Sequence, residues 1–218
     1  MTVRRVIVGI TGASGALYAK RVLELLAEQD CEIHLLVTTW GRRLLFDELG
    51  IRRVDADALT GGRGDRVVIH NDNDIGAAPG SGSFMHDGMV ILPCSANTLG
   101  RIAGGMTENL VQRAAACALK ERRKLILCHR ETPLSLIEIE NMAKVTRAGA
   151  VIAPLNPGFY LGPKSIDDLV EFMAGRILDL LGFPHNIDVR WDENLAERRL
   201  ADRNVREAEW PDGGSADL

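Results

Sequence analysis

Val3-Arg4-Arg5-Val6-Ile7-Val8-Gly9-Ile10 runs directly into Thr11-Gly12-Ala13-Ser14-Gly15, and the reading of this stretch decides the fold. Its first half is rich in β-branched residues and reads as a strand buried on both faces. From Ala16 to Glu28 the apolar residues Val22, Leu25 and Leu26 then recur with the helical period. Strand, glycine turn and helix follow in that order. Glycines 9, 12 and 15 allow a ligand to approach the backbone closely, and the free N–H groups at a helix start favour an anion, so a phosphate is expected here. The alternative is a glycine turn required only for tight strand-to-helix packing. No Lys-Ser/Thr pair ends the turn, which excludes a Walker A loop. The glycine spacing also misses the dinucleotide fingerprint, and a mononucleotide phosphate fits better.

Outward from this unit, residues 32–37 read as a second strand, and Thr38-Thr39 can cap the helix that carries Leu44, Leu45 and Phe46. A polar, glycine-rich segment over 52–64 precedes a short strand at 66–70. Residues 74–83, Asp-Ile-Gly-Ala-Ala-Pro-Gly-Ser-Gly-Ser, then form a long small-residue loop. A buried strand at 88–93 ends in Pro93-Cys94-Ser95-Ala96-Asn97-Thr98. In open parallel sheets ligands lie beyond the carboxyl ends of strands, so this turn and the first one are expected to converge on one crevice.

The spacing predicts one helix over 99–120 with its apolar stripe at Leu99, Ile102, Ala103, Met106, Leu110, Ala114 and Cys117. Arg113 and Lys120 fall inside that stripe. In a later helix capped by Ser165, Arg176 falls among Leu169, Phe172, Met173, Ile177, Leu180 and Leu181. Unpaired buried cations are costly, so three of them on inward faces point to an anionic substrate; snorkelling or internal ion pairs are the alternative. Between these helices a strand at 125–128 ends in His129-Arg130-Glu131-Thr132-Pro133, where Glu131 is a candidate proton donor or acceptor. A helix over 136–148 leads to a strand at 150–154 and the turn Leu155-Asn156-Pro157-Gly158-Phe159-Tyr160.

The 218 residues suffice for one well-buried α/β domain, expected over 1–185, with 186–218 a charged and partly disordered arm. A net charge of −4 provides no basic field for nucleic acid or an anionic membrane. No apolar run reaches membrane length and no signal peptide is read at the start, so a cytoplasmic location is expected. The four cysteines and five histidines are scattered without metal-ligand spacing, and neither disulfides nor a metal is indicated.

Taken together the motifs resemble the UbiX-type flavin prenyltransferases. The resemblance is carried by Gly-Ile-Thr-Gly-Ala-Ser-Gly at 9–15, Ser-Gly-Ser at 81–83, Leu-Pro-Cys-Ser at 92–95 and Arg-Ala-Ala at 113–115. It continues in Leu-Lys-Glu-Arg-Arg at 119–123, Arg-Glu-Thr-Pro-Leu at 130–134, Glu-Asn-Met at 140–142 and Asn-Pro-Gly-Phe-Tyr at 156–160. It implies a flavodoxin-like Rossmann three-layer sandwich with a mostly parallel sheet, binding FMN without a metal. It also implies transfer of a dimethylallyl group from dimethylallyl monophosphate to N5 and C6 of reduced FMN, with the product passed to a UbiD-type decarboxylase. By motif position Gly12, Ala13, Ser14, Thr38, Ser95, Thr98 and Arg130 would hold the flavin. Arg113, Lys120, Arg130, Tyr160 and Arg176 would hold the dimethylallyl phosphate, and Ser14, Glu131 and a neighbouring subunit's Glu48 would act in catalysis. A trimer-based homo-oligomer, up to a dodecamer, is implied as well. Three positions depart from the usual residue: Thr38 for serine, Ile75 for tryptophan and Glu138 for histidine. Two other readings remain, an FMN-dependent cysteine decarboxylase using Asn97 and a non-catalytic flavin carrier.

Overall fold

The computed structural model describes residues 3–187. The expected arm from 188 onward lies outside the described residues. Among the described residues seven α-helices and six strands follow one another: β1 (Arg4–Ile10), α1 (Ala16–Ala27), β2 (Cys31–Val37), α2 (Thr39–Leu49), α3 (Ala56–Thr60), β3 (Val67–His70) and β4 (Gly88–Cys94). After these come α4 (Ala96–Ala103), α5 (Leu110–Lys120), β5 (Leu125–His129), α6 (Leu136–Arg147), β6 (Val151–Ile152) and α7 (Ile166–Leu181). All strand pairings among the described residues are parallel, in the order β3-β2-β1-β4-β5-β6. The winding direction reverses between β1 and β4, which places the switch-point crevice beyond those two strands.

Alternation along each strand sorts the core into two layers. Val6, Val8 and Ile10 of β1 pack with Val90 and Leu92 of β4 against α1 and α7. Ile7, Met89 and Ile91 pack with Leu125 and Leu127 against α4, α5 and α6. The expected three-layer sandwich is therefore present.

Two expectations about helices are corrected. The single helix over 99–120 is two, because Gly104 and Gly105 end α4, with Gly105 at φ +72°, and Asn109 caps a fresh start for α5 by accepting from the Gln112 amide. In α7 the buried stripe is Val170, Met173, Ala174, Ile177, Leu178 and Leu181, one residue out of phase with the predicted set. Leu169, Phe172 and Leu180 only flank it, which moves Arg176 to the surface.

Residues 71–87 form a strap rather than a free loop. It starts at the carboxyl end of β3 and descends along α5 to the amino end of β4. Asp72 holds its upper end: its carbonyl accepts from Leu110 N at 2.7 Å and its carboxylate from Val111 N at 3.1 Å. Lower down, Arg123 donates to the carbonyls of Gly82 and Phe84 at 2.7 and 2.6 Å. Phe84 lies edge-on to His34 of β2, whose Nδ1 is 2.8 Å from His70 Nε2, and His86 stacks on the far side of Phe84.

Burial pushes His34, His70 and His86 below the usual histidine range. Glu32 opposes this at His34, Asp74 and Glu32 at His70, and a backbone hydrogen bond with Gly88, then Asp87, at His86. The three rings are therefore neutral in the folded chain at pH values where the unfolded chain, near pH 6.5, already binds protons. Their contribution is complete above that value and is lost as pH falls toward the depressed folded values. We expect urea midpoints to fall between pH 7.5 and 5.5, and less steeply for His70→Gln; equal slopes would exclude His70 from the effect. Gly41 is fixed by space, since a Cβ there would stand 2.3 Å from the Ile10 carbonyl oxygen. Gly41→Ala should therefore cost ~2 kcal/mol or more in chemical denaturation.

Candidate active site

Five strand ends meet at one crevice. At its centre is Thr11, 1 % exposed, directly after β1. Its hydroxyl donates to the Pro93 carbonyl at 2.7 Å and accepts from Ser95 N at 2.9 Å, tying the first turn to the one that leaves β4. On one side Thr38 N donates to the Ile10 carbonyl at 3.0 Å. On the other, Arg130 N reaches the Cys94 carbonyl at 3.4 Å, and Leu155 N reaches that of His129 at 3.0 Å. The expected convergence of the two turns is thus present, and the ends of β2, β5 and β6 adjoin them.

The glycine turn is shaped by the chain's own packing. A Cβ on Gly12 would meet Trp40 Cβ at 2.4 Å, and one on Gly9 would press on Val111 and Ile91. Gly15 has φ +134°. The chain's own packing and backbone conformation therefore account for these glycines, which was the alternative reading. An anion does sit at the start of α1, but it is the Glu48 carboxylate. One of its oxygens accepts from Gly15 N at 3.1 Å and from Ala16 N at 2.8 Å, as the partial positive charge of a helix start favours. Glu48, expected to reach in from a neighbouring subunit, closes here onto its own chain.

Beside it, Ala13 is buried and Ser14 is exposed at the crevice mouth. The Thr38 hydroxyl caps α2, accepting from Gly41 N at 3.0 Å. Ser95 caps α4, and its oxygen lies 3.0 Å from the Thr98 hydroxyl. Arg130 is partly buried, with a buried Nε that has no partner among the described residues. Such a group calls for a ligand acceptor. Glu131 is exposed and accepts from its neighbour's amide, Thr132 N, at 3.2 Å rather than pairing with Arg130. Glu138 forms a capping box with Ser135, accepting the Ser135 amide at 2.7 Å, so its carboxylate serves the start of α6. Burial raises the thiols of Cys94 and Cys128, Cys94 to about 12, so both are packed thiols without thiolate character.

The three cations expected on inward faces are not equivalent. Arg113, near the start of α5, is partly buried and donates through Nε to the Gly80 carbonyl of the strap at 3.0 Å. Lys120, at the other end of the same helix, is exposed and paired with Glu121 at 2.5 Å. Arg176 is exposed and lies 3.4 Å from Asp179. Lys120 follows the end of the apolar stripe, and Arg176 sits beside a stripe that is shifted by one residue. Moreover α5 delivers the chain to the amino end of β5, roughly 16 Å of strand away from Arg130. Lys120 therefore does not face its own chain's crevice. Tyr160 is 43 % exposed and lies edge-on to Phe172, with ring centroids 5.6 Å apart.

Sequence reasoning missed two residues of this site. Thr11 was legible only as part of the glycine turn, although a hydroxyl directly after a buried strand is well placed to bond a neighbouring strand end. His129, 2 % exposed with Nδ1 2.9 Å from the Cys94 carbonyl, was lost among scattered histidines. Among the described residues no group of three or more His, Cys, Asp or Glu side chains could hold a metal.

Comparison with known proteins agrees with this architecture. Residues 1–178 match the family model described as Flavoprotein. The flavin prenyltransferase UbiX of Halalkalibacterium halodurans is 42% identical over 190 residues, covering 85% of this chain and 92% of that protein. A crystal structure of AnUbiX (PadA1) in complex with FMN and dimethylallyl pyrophosphate superposes with a TM-score of 0.81 at 41% identity, covering 88% of this chain and 98% of that one. A dodecameric FMN-dependent UbiX-like decarboxylase from Escherichia coli O157:H7 gives 0.79 at 39% identity, covering 86% and 99%. This chain belongs to the flavoprotein family and, within it, to the UbiX flavin prenyltransferases.

Proposed function

We propose that this protein joins a dimethylallyl group, taken from dimethylallyl monophosphate, to N5 and C6 of reduced FMN. The observation that carries the reading is the Arg130 guanidinium directly after β5, whose buried Nε has no partner among the described residues. A phosphorylated flavin fits that setting, since an arginine fork matches phosphate oxygens and the neighbouring hydroxyls supply donors. Gly12, Ala13, Ser14, Thr38, Ser95, Thr98 and Arg130 are the residues that would hold it. Reduced FMN supplies the electron-rich positions that accept the prenyl carbon.

The protein's part is to bind, neutralise and exchange protons. As the isoprenoid C–O bond breaks, negative charge grows on the departing phosphate, and fixed cations meet it best in a site closed to water. Arg113, Lys120, Arg176 and the Tyr160 hydroxyl supply that charge and hydrogen bonding, Glu131 at the crevice edge carries the proton, and Glu48 keeps the start of α1 in place. Because Lys120 faces away from its own crevice, the complete cation set needs a second copy of the chain. An apolar surface on α6, with Leu136 and Ile137 each more than two-thirds exposed, supports association with further copies, and the reading takes the assembly to be trimer-based and up to a dodecamer. The reading also includes a cytoplasmic location and delivery of prenylated FMN to a UbiD-type decarboxylase. Against a cysteine decarboxylase stand Arg113, Lys120, Arg130-Glu131 and Tyr160, and Asn97, which that chemistry would aim at a carboxylate, is exposed with its side-chain oxygen accepting from Arg101 at 3.2 Å.

Incubation with reduced FMN and dimethylallyl monophosphate should raise the flavin mass by one five-carbon prenyl unit. Arg176→Ala should abolish the gain while FMN still binds. An unchanged flavin mass with the wild-type protein would sink the reading and favour a flavin carrier. If the site is shared, Arg130→Ala and Lys120→Ala, each inactive alone, should regain part of the activity when co-assembled. No recovery in verified mixed oligomers would place both residues in one chain's site.

A further inference from the structure

The bond between His129 and Cys94 does more than fill space. Regular pairing of β4 with β5 ends early, because the register shifts between Ile91 and Cys94, so ladder bonds alone do not fix the two carboxyl ends against each other. At that point one acceptor, the Cys94 carbonyl, takes two contacts from the end of β5: the His129 ring through Nδ1 at 2.9 Å and the Arg130 amide at 3.4 Å. The side-chain bond is the shorter, and it is almost fully buried. A carbonyl can only accept, so the hydrogen of this bond is on Nδ1. Nε2 is buried and has no partner among the described residues. A buried atom left without a partner opposes stability, so within the described residues the ring is held by its other nitrogen alone.

What that nitrogen joins is the two walls of the crevice. Ser95 follows Cys94 directly and caps the helix that carries Thr98; Arg130 and Glu131 follow His129 directly. Resting on the flavin prenyltransferase reading, we propose that His129 is a positioning residue for prenyl transfer. Its Nδ1–H sets the Ser95–Thr98 wall at a fixed distance from Arg130 and Glu131, so that the hydroxyls and the guanidinium engage one ligand together. It touches neither flavin nor isoprenoid. Reacting groups misplaced by about 1 Å can lose around a hundredfold in rate, which is the scale on which a wall-to-wall tether acts.

The two nitrogens can be separated by substitution. An asparagine amide can place its N–H where Nδ1 stands, a glutamine amide reaches toward Nε2, and leucine supplies neither. His129→Asn, His129→Gln and His129→Leu are compared with the wild type by prenylation of reduced FMN, FMN affinity from fluorescence quenching, and melting temperature. We expect His129→Asn to retain kcat within about threefold and wild-type FMN affinity. His129→Gln and His129→Leu should melt as folded proteins yet lose about tenfold or more in kcat, with a smaller change in KM for dimethylallyl monophosphate and weaker FMN binding. Equal kcat and FMN affinity in the asparagine and leucine variants would overturn the proposal, whether both are normal or both impaired. Should the wild type bind FMN but transfer no prenyl group, the functional reading falls alone. The ranking of FMN affinities, asparagine above glutamine and leucine, then decides the positioning role.

Discussion

The crevice depends on a single buried hydroxyl. Thr11 donates to the carbonyl before one turn and accepts the amide within it, so the ends of β1 and β4 are joined where their helices part to opposite faces of the sheet. At a switch point no helix covers the strand ends, and the backbone groups there must find partners or be left to a ligand. Thr11 satisfies the structural half of that requirement. What it leaves free, including the exposed Ser14 and an Arg130 Nε without a partner among the described residues, is what the site can offer.

Seen from this bond, the glycines and the carboxylate at the first turn have structural tasks. Gly12 admits Trp40, Gly41 admits the carbonyl of Ile10, and Glu48 occupies the amides at the start of α1. The turn that looks most like an anion cradle is therefore already occupied by an anion of the same chain. At the β5 end the local positive charge comes instead from the Arg130 guanidinium, whose buried Nε has no partner among the described residues.

Much of the fold was legible because buried parallel strands and amphipathic helices leave direct traces in hydrophobicity. Strands β1, β2, β4 and β5 were each read to within a residue or two at their ends. The misreadings share one cause. An apolar stripe has an edge, and single-sequence periodicity does not say on which side of the edge a residue falls. Arg176 sits beside a stripe one residue out of phase, and Lys120 lies beyond the end of its stripe. The helix expected over 99–120 is likewise divided by the C-cap at Gly104 and the N-cap at Asn109, which periodicity does not register. The candidate residues Ser95, Arg130 and Glu131 directly follow strands and Thr98 lies in the first turn of the helix after one, where position follows from sequence. Thr11 and His129 act across strands, through a neighbour that sequence adjacency does not reveal.

The exposure of Lys120 and Arg176 reverses the argument that first drew attention to them. They were singled out as cations too costly to bury, yet in the single chain each is solvated and paired with a carboxylate, at little energetic cost. Surface pairs of this strength do not require an anionic ligand. Arg113 differs: it is partly buried, and its Nε is committed to the Gly80 carbonyl, while its other donors remain available. The case for phosphate chemistry therefore rests on Arg130 and Arg113 within the chain. A pair of this kind that is weak in water becomes expensive once it is desolvated, so the Lys120–Glu121 and Arg176–Asp179 pairs are cheap only while they stay exposed.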